Sequence, residues 1–173
     1  DAETGVAIMR VEAGLDTGAV WHQRALPITG DDTTGTLTAS LASLGATALI
    51  ETLPRVERGE APVPQDGAGA TYAPKIDRDV ARIRWDEPAR GVSARIRAMD
   101  PAPGAWTTIA GAEIKLFAGA AHAAVAPWSG APGSFRLVGD SLHVGTAGGA
   151  VVVSEVQPAG RRRLPATEWF RGA

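Results

Sequence analysis

One turn near the start of the chain combines residue types that could do chemistry. Residues 14–18 read Gly-Leu-Asp-Thr-Gly, so Asp16 lies between two glycines just after an extended pattern at residues 5–12. The α/β folds place active sites at such strand ends, where a carboxylate can accept or orient protons. A loop aspartate that hydrogen-bonds its own backbone has the same sequence signature. The spacing alone leaves both interpretations of Asp16 open.

The chain offers few alternatives to this carboxylate. Its three histidines, His22, His122 and His143, are scattered without the spacing of metal ligands, so we expect no metal site. Cysteine is absent, which excludes disulfides, thiolate catalysis and cysteine-ligated zinc. A Ser-His-Asp set stays open on composition, but the sequence contains no nucleophile elbow and no phosphate-binding glycine loop.

Composition divides the chain into two units of different chemistry. The first 70 of the 173 residues carry a net charge of −6, and the remaining residues carry +4. A stretch at 59–71 is rich in proline and glycine, which favour neither a packed helix nor a packed strand. We therefore predict a first unit over 1–58, a linker over 59–74 and a second unit over 75–173.

The first unit has elements of an α/β fold but too few of them. Extended patterns at 5–12 and 19–26 predict two strands, and leucines at helical spacing follow them. We expect Asp32 to cap this helical region and Gly59 to end it, and Gly45 could divide it into two helices. Because so small a unit buries little apolar surface, we expect the rest of this α/β domain in a missing N-terminal portion.

The second unit changes from helical to strand periodicity. Helices are predicted at 88–98 and at Ala166–Arg171. Five strands, separated by glycine-rich turns, are predicted at Ala105–Ile109, 113–118, 134–138, 142–146 and 150–156. Such a set of short strands is typical of a small barrel of the oligonucleotide-binding (OB) type, so we expect a mainly β, OB-like barrel.

Several segments resemble one enzyme family, in order and with fitting spacing. In the first unit, Asp-Ala-Glu-Thr-Gly-Val-Ala-Ile-Met at 1–9, the Asp16 turn and Thr-Thr-Gly-Thr-Leu at 33–37 resemble the closing part of a folate-dependent formyltransferase domain. The later segments are Thr-Tyr-Ala-Pro-Lys-Ile at 71–76, Ala-Arg-Ile-Arg-Trp at 81–85, Arg-Ala-Met-Asp-Pro-Ala-Pro-Gly-Ala-Trp at 97–106 and Val-Gln-Pro-Ala-Gly-Arg-Arg at 156–162. Together they resemble the methionyl-tRNA formyltransferase family over nearly the whole chain.

The resemblance implies a reaction and a set of site residues. The family transfers a formyl group from 10-formyltetrahydrofolate to the amino group of methionine on the initiator tRNA. Its first domain is Rossmann-like and its second is an OB-like barrel. The resemblance places the family's catalytic aspartate on Asp16, and it implies that Glu12, Ala13 and Leu15 lie in the loop around the pteridine ring of the folate.

The chain departs from the family in one decisive respect. The family's catalytic asparagine and histidine belong upstream of the first residue here. We therefore predict that the chain is the C-terminal portion of a formyltransferase and that it is inactive alone. A smaller departure is Ala19, where relatives often carry an acidic residue.

Basic residues of the second unit form a second candidate site. Lys75 and Arg78 lie at its start, and Arg161, Arg162 and Arg163 follow its last predicted strand. Such side chains can neutralise the phosphates of a folded RNA, and the resemblance implies that this RNA is the initiator tRNA. The alternative is a solvated charged face. In that alternative, Arg82, Arg84, Arg95 and Arg97 pair with Asp77, Asp79, Asp86 and Asp100.

Two other functions fit parts of the pattern. The chain could be a tRNA-binding module without catalysis, or part of a formyltransferase acting on another amine, such as an amino sugar nucleotide. The basic second unit argues against the sugar nucleotide. No apolar run approaches the roughly 18 uninterrupted residues of a membrane helix, so we expect a soluble chain with no membrane partner. Separately, we expect a cytoplasmic monomer with no DNA partner.

Overall fold

The computed structural model describes residues 1–117, 125–126 and 128–172, the pair 125–126 by backbone alone. The chain divides into two compact units. The first consists of Asp1–Thr29 and Thr36–Pro74, and the second consists of Gly30–Gly35 and Lys75–Ala173.

A β-hairpin carries the Asp16 turn in the first unit. Strands β1 (Glu3–Met9) and β2 (Val20–Pro27) pair antiparallel, with Ile8 opposite His22. The register then shifts, so that Met9 lies opposite Val20. Bulges of this kind bend a strand and redirect its end, here at the point where the chain enters the loop of residues 10–19.

A single helix, α1 (Thr34–Glu57), follows the hairpin. The helix runs without a break through Gly45, where an added Cβ would lie 3.7 Å from Cγ1 of Val6 on β1. It starts two residues beyond Asp32, which therefore does not occupy the capping position we expected. As predicted, Gly59 ends the helix: its φ is +71° and its N–H donates to the Val56 carbonyl at 2.9 Å.

Helix α1 also meets the length and composition criteria for a membrane span, and most of its apolar window is not buried. Our expectation from uninterrupted apolar runs did not identify it, because polar residues such as Glu51 interrupt the run. One such helix is weak evidence for a membrane, since core helices of soluble proteins satisfy the same criteria.

The second unit is built mainly from short antiparallel strands. Helix α2 spans Ala89–Ala98 and α3 spans Ala166–Arg171, both close to the predicted bounds. The strands are β3 (Ala105–Ile109), β4 (Ala112–Phe117), β5 (Val125–Ala126), β6 (Phe135–Val138), β7 (Ser141–Thr146), β8 (Gly149–Val153), β9 (Glu155–Pro158) and β10 (Leu164–Pro165). Predicted strand 113–118 thus becomes β4, except for Ala118, which lies outside the described residues.

These strands form two four-stranded sheets, ordered β10-β9-β4-β3 and β5-β8-β7-β6. The single strand predicted at 150–156 is divided at Ser154, so that β8 belongs to one sheet and β9 to the other. A bend that passes a strand from one sheet to the next is a usual way to form a corner between packed sheets. Among the described residues, no pairing closes the two sheets into one barrel.

The core of the second unit lies between α2 and the sheets. Val92 and Ile96 on α2 are almost completely buried, as are Leu116 on β4, Leu142 on β7 and Val156 on β9. Val92 and Ile96 lie four residues apart on one face of α2, and this amphipathic spacing explains why the helix packs along one side. Three tryptophans at 85, 106 and 169 pack against this core.

Candidate functional site

The loop that carries Asp16 is closed by close backbone approaches. The Arg10 N–H donates to the Ala19 carbonyl at 2.9 Å. A Cβ added at Gly18 would lie 1.7 Å from the Arg10 carbonyl oxygen, and one added at Gly14 would lie 2.4 Å from Oγ1 of Thr17. The approach at Gly18 is to backbone, so only glycine fits there, whereas at Gly14 the Thr17 side chain would have to move.

Asp16 occupies an unusual backbone conformation at the exposed end of this loop. Its φ is +54°, in the left-handed region, which aspartate adopts more readily than most residues. The conformation still costs on the order of 1 kcal/mol, and such strain concentrates at functional sites. The side chain of Asp16 is exposed, so the loop presents the carboxylate to whatever binds there.

The three residues that the resemblance assigns to the folate loop share this segment with Asp16. Nη2 of Arg10 lies 2.6 Å from Oε1 of Glu12, which holds this second carboxylate beside the loop entrance. Ala13 is exposed, and Leu15 is 94% exposed. An apolar side chain displayed so fully can pack against a flat ligand without moving other residues.

A glutamine that sequence reasoning missed also contacts the loop. Nε2 of Gln65 donates to the carbonyl oxygens of Asp16 and Gly18, both at 2.8 Å. No sequence signal could have found this contact, because Gln65 is 49 residues from Asp16 and lies in the predicted linker. The same stretch pairs with β2, since Val20 and Val63 exchange two backbone hydrogen bonds of 2.8 Å.

Two ion clusters tie helix α1 and the following segment to the hairpin. Arg55 donates to the Trp21 carbonyl at 2.6 Å, and the Trp21 indole donates to the Glu60 carbonyl at 3.0 Å. Hydrogen bonds from Arg55 and Arg58 hold the pKa of Glu60 below its usual 4.5. This cluster therefore stabilises the folded chain above about pH 4.5, and its contribution is lost as the pH falls further.

The second cluster gives His22 a structural partner. Nε2 of His22 lies 3.1 Å from Oε2 of Glu51, and Arg24 donates to both oxygens of the same carboxylate. Desolvation raises the pKa of Glu51, but hydrogen bonds from Arg24 and His22 outweigh it and leave the pKa below its usual 4.5. Across the described residues, no group of three or more His, Asp or Glu could hold a metal ion. His122 lies outside those residues.

In the second unit, the predicted tRNA-binding residues fall into two groups. Lys75, Arg161 and Arg162 are exposed. Arg78 is exposed as well, but its guanidinium pairs with Glu113 and lies 4.3 Å from the centre of the Trp106 ring. These four side chains are accessible to a ligand.

Arg163 is different, because it is engaged inside the unit. It pairs with Asp100 at 3.1 Å and with Glu155 at 2.7 Å, and its guanidinium lies 3.9 Å from the centre of the Phe117 ring. The Asp100 side chain is only 9% exposed, so Arg163 compensates a carboxylate that has little access to water.

The outer face of one sheet carries a further basic residue, the half-buried Lys115. Along β4, Ile114 and Leu116 point into the core, so the alternation of the strand puts Glu113 and Lys115 on the outer face. Lys115 lies opposite Gln157, whose amide donates to the Arg161 carbonyl at 3.0 Å. Sequence analysis missed Lys115, although the strand periodicity contained the signal.

The remaining arginines of the second unit make contacts of several kinds. Arg95 pairs with Glu87 at 2.8 Å, and Arg97 donates to the Asp32 carbonyl at 3.1 Å. The Arg82 guanidinium lies 5.4 Å from the centre of the Trp106 ring. Arg95 therefore has a glutamate partner that we did not name, and the charged-face interpretation of these arginines stays a prediction.

Two family models match the chain in order. Residues 1–53 match the model described as formyl transferase, and residues 75–173 match the model described as formyl transferase, C-terminal domain. The chain belongs to the formyltransferase family.

Curated relatives are similar along the whole chain. A methionyl-tRNA formyltransferase from Paracoccus denitrificans is 46% identical over 99% of this chain and 55% of its own length. Another, from Roseobacter denitrificans, is 42% identical over 100% of this chain and 54% of its own length. The chain spans about half the length of the curated relatives it matches.

Solved structures share the fold. HypX from Aquifex aeolicus matches with a TM-score of 0.76 and 24% identity, covering 99% of this chain and 31% of its own. An N-formyltransferase from Helicobacter canadensis, in complex with folinic acid and dTDP-3-aminofucose, has a TM-score of 0.68 and 17% identity, with coverages of 91% and 56%. A methionyl-tRNA formyltransferase from Clostridium thermocellum has a TM-score of 0.54 and 17% identity, with coverages of 88% and 56%.

We expect mutation of the ion-paired Arg163 and of the exposed Arg162 to have different effects on stability. Arg163→Ala leaves the poorly hydrated Asp100 carboxylate without its guanidinium, so we expect a loss of about 2 kcal/mol in the unfolding free energy. Arg162→Ala, the exposed neighbour, is the control and is expected to change it by less than about 0.5 kcal/mol. Urea unfolding followed by tryptophan fluorescence measures both. Equal losses for the two variants would contradict the structural role of Arg163.

Proposed function

We propose that the chain is the C-terminal part of an enzyme that transfers a formyl group from 10-formyltetrahydrofolate to the amino group of methionyl initiator tRNA. The observation that carries the proposal is the loop of residues 10–19, which presents the Asp16 carboxylate on a closed, strained backbone. The named function of the curated relatives, which match the chain along its whole length, supplies the substrates.

The reaction defines what a carboxylate can do at this place. The amine nitrogen forms a bond to the formyl carbon while the bond from that carbon to folate N10 breaks. The amine loses a proton and N10 gains one. A carboxylate held at the reacting atoms can orient a histidine or a water and direct this proton transfer. Asp16 is the chain's candidate for that task, together with the asparagine and histidine that the family carries upstream.

The residue types of the loop at 11–15 suit the binding of the formyl donor. 10-Formyltetrahydrofolate supplies the formyl group, and its pteridine ring is flat and largely apolar on its faces. Leu15 and Val11 are both more than nine-tenths exposed, which suits packing against such a ring. Glu12, held by Arg10, and Ala13 complete the loop segment assigned to the folate.

The second unit supplies the affinity for tRNA. Its exposed basic residues, Lys75, Arg78, Arg161 and Arg162, and the half-buried Lys115 can contact phosphates without reading base sequence. This basic set favours a tRNA substrate over an amino sugar nucleotide, which needs no extended positive surface. We place the enzyme in the cytoplasm, where tRNA is formylated, as a monomer without DNA or membrane partners.

The first test is formyl transfer by the 173-residue chain alone. We expect no formylation of methionyl-tRNA by a folded preparation, because the asparagine and histidine of the family are not among its residues. Folding is checked by circular dichroism and by a cooperative urea transition. Measurable turnover would mean that Asp16 works with partners inside this chain and would overturn the division of the active site.

The second test replaces Asp16 in the complete enzyme, in which residues 1–173 follow the first half of a formyltransferase. Asp16→Asn keeps the shape and removes the charge, so we expect kcat to fall at least 10²-fold with little change in thermal stability. Asp140→Asn is the matched control, since its side chain is 99% exposed in the second unit. Near-normal turnover of Asp16→Asn would remove Asp16 from the mechanism.

The third test concerns the basic surface. The double variant Arg161→Ala/Arg162→Ala is expected to weaken tRNA binding and to lower the slope of log K against log salt by up to roughly 2, one per lost phosphate contact. Arg90→Ala/Arg171→Ala is the control, because it removes two other exposed arginines of the second unit. Filter binding between 50 and 200 mM salt measures both. Identical slopes would exclude Arg161 and Arg162 from the RNA contact.

A further inference from the structure

The amide of Gln65 uses both of its N–H donors on the loop of residues 10–19. One donates to the Asp16 carbonyl oxygen and the other to the Gly18 carbonyl oxygen, each at 2.8 Å. Carbonyl oxygens only accept hydrogen bonds, so this environment selects the nitrogen of the amide rather than its oxygen. The two acceptors lie on either side of Thr17, and the amide therefore bridges the C-terminal half of the motif.

Hydrogen bonds to the hairpin also fix the chain segment that contains Gln65. Val63, two residues earlier, exchanges two backbone hydrogen bonds with Val20, the first residue of β2. Side chains two residues apart on an extended chain share a side, so this pairing sets where the Gln65 side chain starts. Further back, the Trp21 indole donates to the Glu60 carbonyl, and Arg55 donates to Glu60 Oε2 at 2.8 Å. The backbone from which the Gln65 side chain extends to the loop is therefore anchored on both Val63 and Glu60.

The loop needs such a contact more than an ordinary turn does. Asp16 has a φ of +54°, and a backbone in that region is kept only where its surroundings hold it there. The hydrogen bond from Arg10 to Ala19 closes the base of the loop, but it does not touch the residues at its end. The Gln65 amide is fixed directly to the carbonyl of the strained residue.

We propose that Gln65 is a positioning residue for the transfer reaction: by bridging the carbonyls of Asp16 and Gly18, it fixes the direction of the Asp16 carboxylate. The segment after α1 is then a part of the active-site architecture as well as a connection between units. This inference rests on the proposed function, because the effect on turnover exists only if Asp16 acts in the reaction.

The decisive variant is Gln65→Glu, which keeps the shape and replaces the NH2 group, with both of its donors, by one carboxylate oxygen. This oxygen faces the carbonyl oxygens of Asp16 and Gly18 and is repelled by them, so the loop loses its bridge. In the complete enzyme we expect kcat to fall at least tenfold, while KM for methionyl-tRNA changes less than about twofold, since the tRNA contacts we assign are in the second unit. Gln65→Lys, which retains N–H donors on a long side chain, is expected to keep more of kcat than Gln65→Glu.

Gln23→Glu is the matched control, because it makes the same charge change at an exposed position of β2 in the same unit. Its kcat and KM are expected within twofold of the parent. If Gln65→Glu also stays within twofold, or if it lowers kcat and thermal stability no differently from Gln65→Lys, Gln65 has no positioning role.

A measurement without turnover separates this inference from the proposed function. In the complete enzyme, amide hydrogen exchange of residues 14–18 is expected to be at least tenfold faster in Gln65→Glu than in Gln23→Glu. Faster exchange combined with an active Asp16→Asn enzyme would uphold the bridge and overturn the role of Asp16. Unchanged exchange would overturn the bridge itself, whatever the activity of Asp16→Asn.

Discussion

Close backbone contacts fix the course of the loop of residues 10–19, and the proposed chemistry depends on where this backbone places Asp16. The Arg10 carbonyl lies where a side chain at Gly18 would begin, and Thr17 occupies the corresponding space at Gly14. Between these two glycines, Asp16 adopts a left-handed φ of +54°. The backbone packing at Gly18 and the positive φ at Asp16 are therefore separate constraints on the same short motif.

The segment after α1 shows why composition alone does not distinguish a flexible connection from an ordered one. Prolines and glycines at 59–71 predict a linker, yet the part from Glu60 to Gln65 is hydrogen-bonded to the hairpin. Its anchors, such as Trp21 and Arg55, are side chains far away in the sequence or belong to the preceding helix. Proline lacks a donor but accepts hydrogen bonds, so a segment of this composition can still dock through its other residues.

Local patterns predicted those features that local energetics decide. The apolar face of α2, the stop at Gly59 and the hairpin of β3 and β4 follow from periodicity and turn residues, and the structure has them close to the predicted places. The bend at Ser154, which divides one predicted strand between two sheets, depends on tertiary packing that no local pattern contains. The contact of Gln65 with the loop could not be predicted for the same reason, because its partners are distant in the sequence. Lys115 could have been predicted, since the alternation of side chains along β4 places it on the outer face of the sheet.

The run of three arginines makes the same point for electrostatics. Net charge describes the field around a unit, which attracts a polyanion, but it does not identify the side chains that touch one. Arg161 and Arg162 are exposed, whereas Arg163 forms ion pairs with Asp100 and Glu155. A buried carboxylate loses more by losing its partner than an exposed guanidinium gains by finding a phosphate, because only the first is cut off from water. We therefore assign Arg163 to the fold, and in the proposed function only its exposed neighbours Arg161 and Arg162 contact phosphates.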